Sequence, residues 1–236
     1  MTRNRVTLLR TDCHECAYVS GRTARLEFLS PQLALDDRRY QLLLEQGFRR
    51  SGPYIYRPRC PGCAACQSLR IPVARFRARR RHRRCRRDNA DLHVAACPPV
   101  LTDEQLALYR RYIDHRHPHS SMADPDRAEA EGFLTAPWCT TVFYELRSTE
   151  RGPLLGVAVT DVLPGALSAV YTFYAPEAEH RGLGNLAVLW QLSEARRLGA
   201  QHVYLGYWIA DAPTMAYKAT FRPHEVFDGR RWLAGA

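Results

Sequence analysis

The sequence predicts an α+β fold, mainly because of the order of elements in its second half. Three stretches rich in β-branched and aromatic residues are joined by short turn-like connections, which is typical of an antiparallel meander. A glycine-containing loop and an apolar helix follow, and the chain then returns to a strand. The predicted order is helix, three antiparallel strands, glycine loop, helix and strand, behind a smaller first part rich in cysteine and arginine.

The first part contains short elements. We expect a helix over Asp36–Gln46 that ends at Gly47, because its apolar residues recur at helical spacing. Ser51-Gly52-Pro53 predicts a turn between two strand segments, and Gln67–Pro72 is predicted to be a strand. A change of composition after Cys97 predicts two domains, residues 1–97 and 98–236.

The second part has clearer signals. A capping box from Thr102 to Gln105 predicts the start of a helix. The helix after the glycine loop is expected to end at Gly199, which favours the left-handed conformation of a helix end. The predicted strands are Thr140–Arg147, Leu154–Val162, Leu167–Tyr174 and Val203–Ile209.

The composition limits the function classes. The net charge is +10, and only one of the 34 basic residues, Lys218, is a lysine, so a polyanion is the first partner to consider. The sequence contains no run of ~18 apolar residues, so it predicts no membrane-spanning helix. No apolar signal segment follows the charged start, so we expect a cytoplasmic protein. Eight cysteines in such a protein indicate thiols or metal ligation rather than disulfides.

The cysteine spacing predicts a possible metal site. Cys60, Cys63 and Cys66 form a C-x-x-C-x-x-C run, a spacing at which neighbouring thiolates can face one ion. Cys16 or Cys13 is the expected fourth ligand of a zinc ion or an iron–sulfur cluster. The alternative is a group of buried free thiols that pack as small apolar side chains.

Two further clusters suggest binding. The segment Arg75–Arg87 holds nine arginines in thirteen residues, which indicates a nucleic-acid surface and fits RNA as well as DNA. The alternative is an ordinary solvated face. Three histidines at alternate positions suggest a metal, but Pro118 between them favours exposed loop side chains; they are His115, His117 and His119.

The stretch Val203–Pro223 is the strongest candidate for chemistry. It begins as a buried strand, which Pro213 prevents from continuing, and it ends in a polar segment. Loops at the ends of buried strands often carry functional side chains. The candidates here are Asp211, Tyr217, Lys218 and Arg222.

The element order resembles the acyl-CoA N-acyltransferase fold, in which a glycine-rich loop at a helix start receives an acyl donor. The loop of this chain matches that pattern at Arg181 and Gly184 and departs from it at Leu186. The departure weakens the interpretation of the loop as a pyrophosphate site.

A combination of motifs over nearly the whole chain is more specific. It resembles the aminoacyl-tRNA–protein transferase family, and most of all its bacterial leucyl branch. The chain departs from the family at Thr214, where members often carry a basic residue. The matching stretches are Cys16–Gly21, Gly47–Gly52, Tyr56–Pro58, Cys60–Cys66, Asp161–Pro164, Ser168–Tyr171, Tyr204–Tyr207 and Met215–Lys218.

The resemblance implies transfer of leucine from leucyl-tRNA to the α-amino group of proteins that begin with Asp or Glu, as in N-end rule degradation, without a cofactor for the transfer itself. Arginine transfer, acetyl-CoA-dependent acetylation and non-enzymatic tRNA binding are the alternatives.

Site roles are expected on this basis. Lys218 would stabilise negative charge or hold the acceptor carboxylate. Asp211, Tyr207 or Tyr217 would orient the amine or relay protons, and Asp161 is another candidate base. Arg222 or Arg181 would bind the acceptor carboxylate. The residues expected to contact tRNA are Arg79, Arg80, Arg83 and Arg84.

Overall fold

A computed structural model describes residues 7–116 and 124–235. Of the three predicted loop histidines, His117 and His119 lie outside these ranges. His115 lies at the end of a helix, where its Nε2 is 3.5 Å from a carboxylate oxygen of Glu179. No helix in the described ranges is both long enough and apolar enough to cross a membrane.

The first part of the chain builds a small sheet and one helix. The helix α1 begins after Asp36, whose side chain accepts a hydrogen bond from the backbone of Arg39, and it confirms the predicted helix. Tyr40 and Leu44 are its buried residues. The elements are β1 (Leu8–Arg10), β2 (His14–Glu15), β3 (Thr23–Ala24), β4 (Leu26–Leu29), α1 (Asp37–Glu45), β5 (Arg49–Ser51) and β6 (Tyr54–Pro58).

The elements that follow confirm the predicted order of the second half and add strands at both edges. Two 3₁₀ helices, Pro176–Arg181 and Pro213–Thr220, precede and follow the last long helix and strand. The other elements are β7 (Gln67–Pro72), α2 (Arg80–Arg87), β8 (His93–Cys97), α3 (Asp103–Arg116), α4 (Arg127–Leu134), β9 (Thr141–Arg147), β10 (Leu154–Leu163), β11 (Ala166–Tyr174), α5 (Leu183–Arg197), β12 (His202–Trp208), β13 (Glu225–Phe227) and β14 (Trp232–Ala234).

The main sheet has eight strands in the order β14-β13-β7-β12-β11-β10-β9-β8. The strands β9, β10 and β11 form the predicted antiparallel meander, and β11 and β12 are parallel. The separate four-stranded sheet has the order β1-β4-β6-β5. Because β7 and β8 precede residue 98 and belong to the main sheet, this sheet continues across the predicted boundary after Cys97.

The two faces of the main sheet are covered by different elements. On β10, Val157 and Val159 join the cluster that contains the apolar side of α3. The alternate residue Ala158 packs with Ala187 of α5. Alternation along a strand therefore places α3 and α5 on opposite faces.

A buried ion pair joins the small sheet to the large one. The Nε and Nη2 atoms of Arg50 each donate to one carboxylate oxygen of Asp161 at 2.7 Å. The side chains of Arg50 and Asp161 are both fully buried. The hydroxyl of Thr141 donates a further hydrogen bond to Asp161 at 2.8 Å. The carboxylate is thus saturated by structural partners, so the geometry does not support Asp161 as a base.

Loss of one partner of this pair should destabilise the fold strongly. Asp161→Asn and Arg50→Met each leave an uncompensated buried group, so we expect the free energy of unfolding to fall by about 3–5 kcal/mol. Arg197→Met, which breaks an ion pair whose arginine is exposed, is the control and should cost much less, because solvent screens that charge. Urea unfolding measures all three, and similar losses for buried and exposed pairs would contradict the role of Arg50.

Candidate active site

The parallel strands β11 and β12 pair only at their beginnings. Their register covers Ala166–Ser168 on β11 and His202–Tyr204 on β12. The pairing of β12 with β7 is irregular between Tyr204 and Tyr207, and Gly206 has a positive φ of 71°. Beyond Tyr204 the two strands therefore diverge, and their backbone groups bind other partners.

The side chain of Arg49 lies between the diverging strands. Its Nη2 donates to the carbonyl oxygen of Val170 on β11 at 2.5 Å. On the other side, a Cβ atom added to Gly206 of β12 would come within 2.4 Å of Nη1. Glycine is thus required at position 206 both by its backbone conformation and by the close approach of the guanidinium. The guanidinium of Arg49 thus lies where a ladder hydrogen bond between β11 and β12 would otherwise form.

Lys218 lies beside the same point of β12. It belongs to the second 3₁₀ helix, is 7% exposed, and donates from Nζ to the carbonyl oxygen of Tyr207 at 2.6 Å. Burial, with a smaller contribution from the charge of Arg49, lowers the pKa of Lys218 to about 7. The structure thus brings together one predicted residue, Lys218, and one that sequence reasoning missed, Arg49.

Two signals in the sequence point to Arg49 and its position. Adjacent arginines lie in a short strand between two glycines, and Gly206 interrupts an otherwise apolar strand. An isolated glycine within a strand often marks a bulge or the close approach of another group. Neither signal says which of the two arginines enters the cleft.

The two predicted tyrosines near the cleft, Tyr207 and Tyr217, differ in how accessible their side chains are. The hydroxyl of Tyr207 donates to the carbonyl oxygens of Gly47 and Tyr56, at 3.0 and 3.1 Å, so it anchors the small sheet to β12. Burial raises the pKa of Tyr207 well above its usual value. Tyr217 is 38% exposed and stands next to Lys218 in the chain. Burial raises the pKa of Tyr217 as well. Part of its side chain nevertheless meets solvent, so of the two Tyr217 is the one that a ligand can contact.

The other predicted site residues lie outside this cleft. Asp211 is exposed between β12 and the second 3₁₀ helix. Arg181 is already engaged, since it donates to Asn89 and forms an ion pair with Asp91. Arg222 is exposed and lines a depression of about 380 Å³ together with Arg77 and Arg79. The structure therefore groups Arg222 with the arginine-rich segment rather than with Lys218.

The helix α2 presents its arginines to solvent and its histidine to the core. Arg80, Arg83 and Arg84 are exposed, as is Arg79 at the helix start. His82 is 2% exposed and stacks on Phe221 with ring centroids 4.9 Å apart. Phe221 follows the segment that carries Lys218, so α2 is docked directly onto that segment.

The four predicted metal ligands lie near one another without forming a coordination shell. Burial, followed by the nearby thiols of Cys60, Cys16 and Cys63, raises the pKa of Cys66 to about 11. A backbone hydrogen bond from Ala65, and then Arg22, lower the pKa of Cys63. Among residues 7–116 and 124–235, however, no three potential ligands are close enough to hold a metal ion.

The family is decided by comparison with known proteins. Residues 14–84 match the family model described as arginine-tRNA-protein transferase, N terminus, and residues 104–228 match the model of its C terminus. The chain belongs to this family. The family predicted from the motifs is thus confirmed, and the two models divide the sequence between residues 84 and 104, a division that the main sheet crosses.

Curated relatives match over almost their whole length. An aspartate/glutamate leucyltransferase of Halorhodospira halophila is 85% identical over 234 residues, which cover 99% of each chain. A protein of the same name from Alkalilimnicola ehrlichii is 53% identical, over 98% of this chain and 97% of its own. One from Pseudomonas paraeruginosa is 47% identical over the same shares.

Solved structures support the fold at low sequence identity. The C-terminal domain of a putative lysylphosphatidylglycerol synthetase from Agrobacterium fabrum has a TM-score of 0.53 at 13% identity, covering 82% of this chain and 63% of its own. FemX has a TM-score of 0.51 at 10% identity, covering 90% and 84%. The predicted α+β fold with an acyltransferase-like core is confirmed.

Two glycines with the same backbone conformation test the position of Arg49. Gly206 and Gly199 have φ values of 71° and 70°, but no atom lies within 4 Å of a Cβ added to Gly199. Gly199→Ala should therefore cost only the left-handed backbone strain, about 1–2 kcal/mol. Gly206→Ala must also shift the end of the Arg49 side chain, so it should cost more than Gly199→Ala and reduce aminoacyl transfer. Urea unfolding and an activity assay measure both variants; equal effects would place Arg49 outside the cleft.

Proposed function

We propose that the chain transfers leucine from leucyl-tRNA to the α-amino group of proteins that begin with Asp or Glu. The observation that carries the proposal is the pair of cations in the cleft between β11 and β12, Arg49 and Lys218. An acidic acceptor needs a cation for its carboxylate and a base for its α-ammonium proton. The names of the relatives that match over the full chain support the same reaction.

The reaction needs little besides positioning and proton transfer. The lone pair of the acceptor α-amine attacks the ester carbonyl carbon of leucyl-tRNA, and the bond from that carbon to the ribose oxygen then breaks. An amide forms, and the proton that leaves the amine ends on the ribose oxygen. The α-amine has an ordinary pKa of ~8, so a base must first remove a proton from most of the acceptor molecules at neutral pH.

Lys218 suits the role of this base. A group that accepts and returns a proton works best when its pKa is near the working pH, and the pKa of Lys218 is about 7. One of its N–H groups donates to the carbonyl oxygen of Tyr207, which orients the nitrogen. Tyr217 and Asp211, both exposed next to the same segment, are the proposed groups that orient the amine.

The pH profile separates two roles for Lys218. If it is a base, transfer should rise with pH through about 7, and Lys218→Arg, which stays charged, should lose about 100-fold or more in rate together with this rise. If Lys218 acts as a cation, the rate should instead fall above that pH, and Lys218→Arg should stay active. Single-turnover rates of the wild type and of Lys218→Arg, measured from pH 6 to 9, distinguish the two roles.

The side chain of Lys218 also makes the stability of the fold depend on pH. The folded state holds Lys218 with a pKa of about 7, below its value of ~10.4 in an unfolded chain, so the unfolded state binds more protons between these values. The contribution of Lys218 to stability should therefore rise as the pH rises through this window. Lys218→Met should not show that rise.

The proposed tRNA surface is α2 and the depression next to it. The exposed arginines of α2, with Arg77, Arg79 and Arg222, form one cationic face. The stacking of His82 on Phe221 connects this face to the segment of Lys218. A tRNA bound to this face would have its charged end near the cleft. Since charged tRNA is a cytoplasmic molecule, we assign the reaction to the cytoplasm.

Salt dependence tests this surface. A variant with Arg79, Arg80, Arg83 and Arg84 changed to Gln should bind tRNA more weakly, and the slope of log affinity against log salt should decrease by about 1 for each lost phosphate contact. The matched control changes four exposed arginines elsewhere, Arg38, Arg39, Arg151 and Arg230, to Gln. Equal slopes for the two variants would place the tRNA elsewhere.

A metal centre at Cys16, Cys60, Cys63 and Cys66 belongs to the proposal as a structural element only. It requires the thiols to move together, and no step of the transfer passes through it. Metal content of the purified protein, compared with a Cys60→Ser variant, tests this part.

The assay that tests the proposed function offers labelled leucyl-tRNA and arginyl-tRNA separately with peptides that begin with Glu or Asp. Leucine should be transferred and arginine should not. Arginine transfer would assign the chain to the arginyl reaction, and tRNA binding without transfer would make it a binding module. A shift of the melting temperature by acetyl-CoA would favour acetylation.

A further inference from the structure

Arg49 differs from the other arginines that are tied into the sheets. Among the described residues, its side chain has a carbonyl oxygen, that of Val170, and no carboxylate as its hydrogen-bond partner. The other arginines of the described strands form ion pairs with carboxylates. The pairs are Arg10–Glu27, Arg50–Asp161, Arg57–Glu27, Arg70–Glu225 and Arg147–Glu104.

An unpaired guanidinium in this position is costly unless an anion binds to it. A charge removed from water needs a compensating charge or a full set of hydrogen bonds, and one carbonyl oxygen leaves most of the five N–H groups of Arg49 free. Arg49 is half-buried: part of its side chain meets solvent, while burial desolvates its guanidinium. The electrostatic influence of Arg49 extends to the hydroxyl of Tyr171, which has no hydrogen-bond partner in the part of the chain that the structure describes.

The walls of the cleft limit what can bind. Four tyrosines act electrostatically on Arg49: Tyr18 is exposed and Tyr56 half-buried, while Tyr40 and Tyr207 are buried. Gly206 presents bare backbone on one side. Tyr56 and Tyr207 contact each other edge to face, with ring centroids 5.9 Å apart. One guanidinium among tyrosine side chains suits a small planar carboxylate better than a polynucleotide backbone. The exposed arginines of α2 already offer a surface for phosphates.

We propose that Arg49 determines the acceptor specificity by binding the side-chain carboxylate of the N-terminal Asp or Glu, while Lys218 lies next to the α-amine. This inference rests on the proposed function and assigns the recognition to Arg49 rather than to Arg222 or Arg181. A guanidinium forms two parallel hydrogen bonds with a carboxylate and stays charged at every relevant pH, whereas the ammonium of Lys218 does not. The two cations thereby divide recognition and proton transfer between them.

The test compares acceptor peptides that differ only in the first residue, Glu or Gln, with wild type, Arg49→Met, Arg49→Lys and the exposed control Arg38→Met. In Arg49→Met, kcat/KM for the Glu peptide should fall about 100-fold more than that for the Gln peptide, so that the preference for Glu is lost. Arg49→Lys keeps the charge but not the paired hydrogen bonds, and it should retain part of the preference. The control should behave as wild type.

The expected loss should appear in KM for the peptide rather than in tRNA affinity, which a filter-binding measurement checks on the same variants. If Arg49→Met does not fold, as circular dichroism would show, the Glu-to-Gln ratio of Arg49→Lys decides. An unchanged ratio in a folded Arg49 variant overturns the inference and leaves the proposed function intact. Failure of wild type to transfer leucine to either peptide contradicts the proposed function instead.

Discussion

The buried ion pair between Arg50 and Asp161 is the interaction on which the geometry of the site depends. It joins β5 of the small sheet to β10 of the main sheet, and its two side chains are fully buried. Because neighbouring residues of a strand point to opposite sides, a fixed Arg50 also fixes the direction of Arg49. One structural pair thus positions an unpaired cation at the point where β11 and β12 diverge.

The divergence itself has a simple physical origin. Gly206 takes a left-handed conformation that interrupts the ladder of β12, and the guanidinium of Arg49 occupies the space against its backbone. The second 3₁₀ helix then returns Lys218 to the same strand, where the carbonyl oxygen of Tyr207 accepts its hydrogen bond. Two cations at close quarters disfavour each other, and this contributes to the lowered pKa of Lys218. The arrangement favours an anionic ligand and a lysine that can give up its proton.

Local signals in the sequence predicted the regular part of the fold. Short turns predicted the meander, and the capping box between Thr102 and Gln105 is present as two reciprocal hydrogen bonds. The insertion of β7 between β12 and β13 could not be predicted, because it joins residues more than a hundred positions apart. Distant pairing of this kind depends on the completed core rather than on local propensity.

The site was predictable to a similar extent. Lys218 was a candidate because it is the only lysine in the sequence. The polar segment around it did not predict that its side chain is buried. Arg49 and Arg50 are identical neighbours, and only the distant Asp161 decides which of them is neutralised. The run of arginines in α2 was recognisable, whereas the inward position of His82 follows from its packing on Phe221. The sequence therefore did not predict the roles of residues that depend on partners far away in the chain.

The most direct measurement of the central claim is a structure of the protein with a peptide that begins with Glu and a stable amide analogue of the leucylated tRNA end. The Glu carboxylate should lie within hydrogen-bond distance of Arg49, with the α-amine beside Nζ of Lys218. A peptide carboxylate bound instead in the depression formed by Arg77, Arg79 and Arg222 would contradict it.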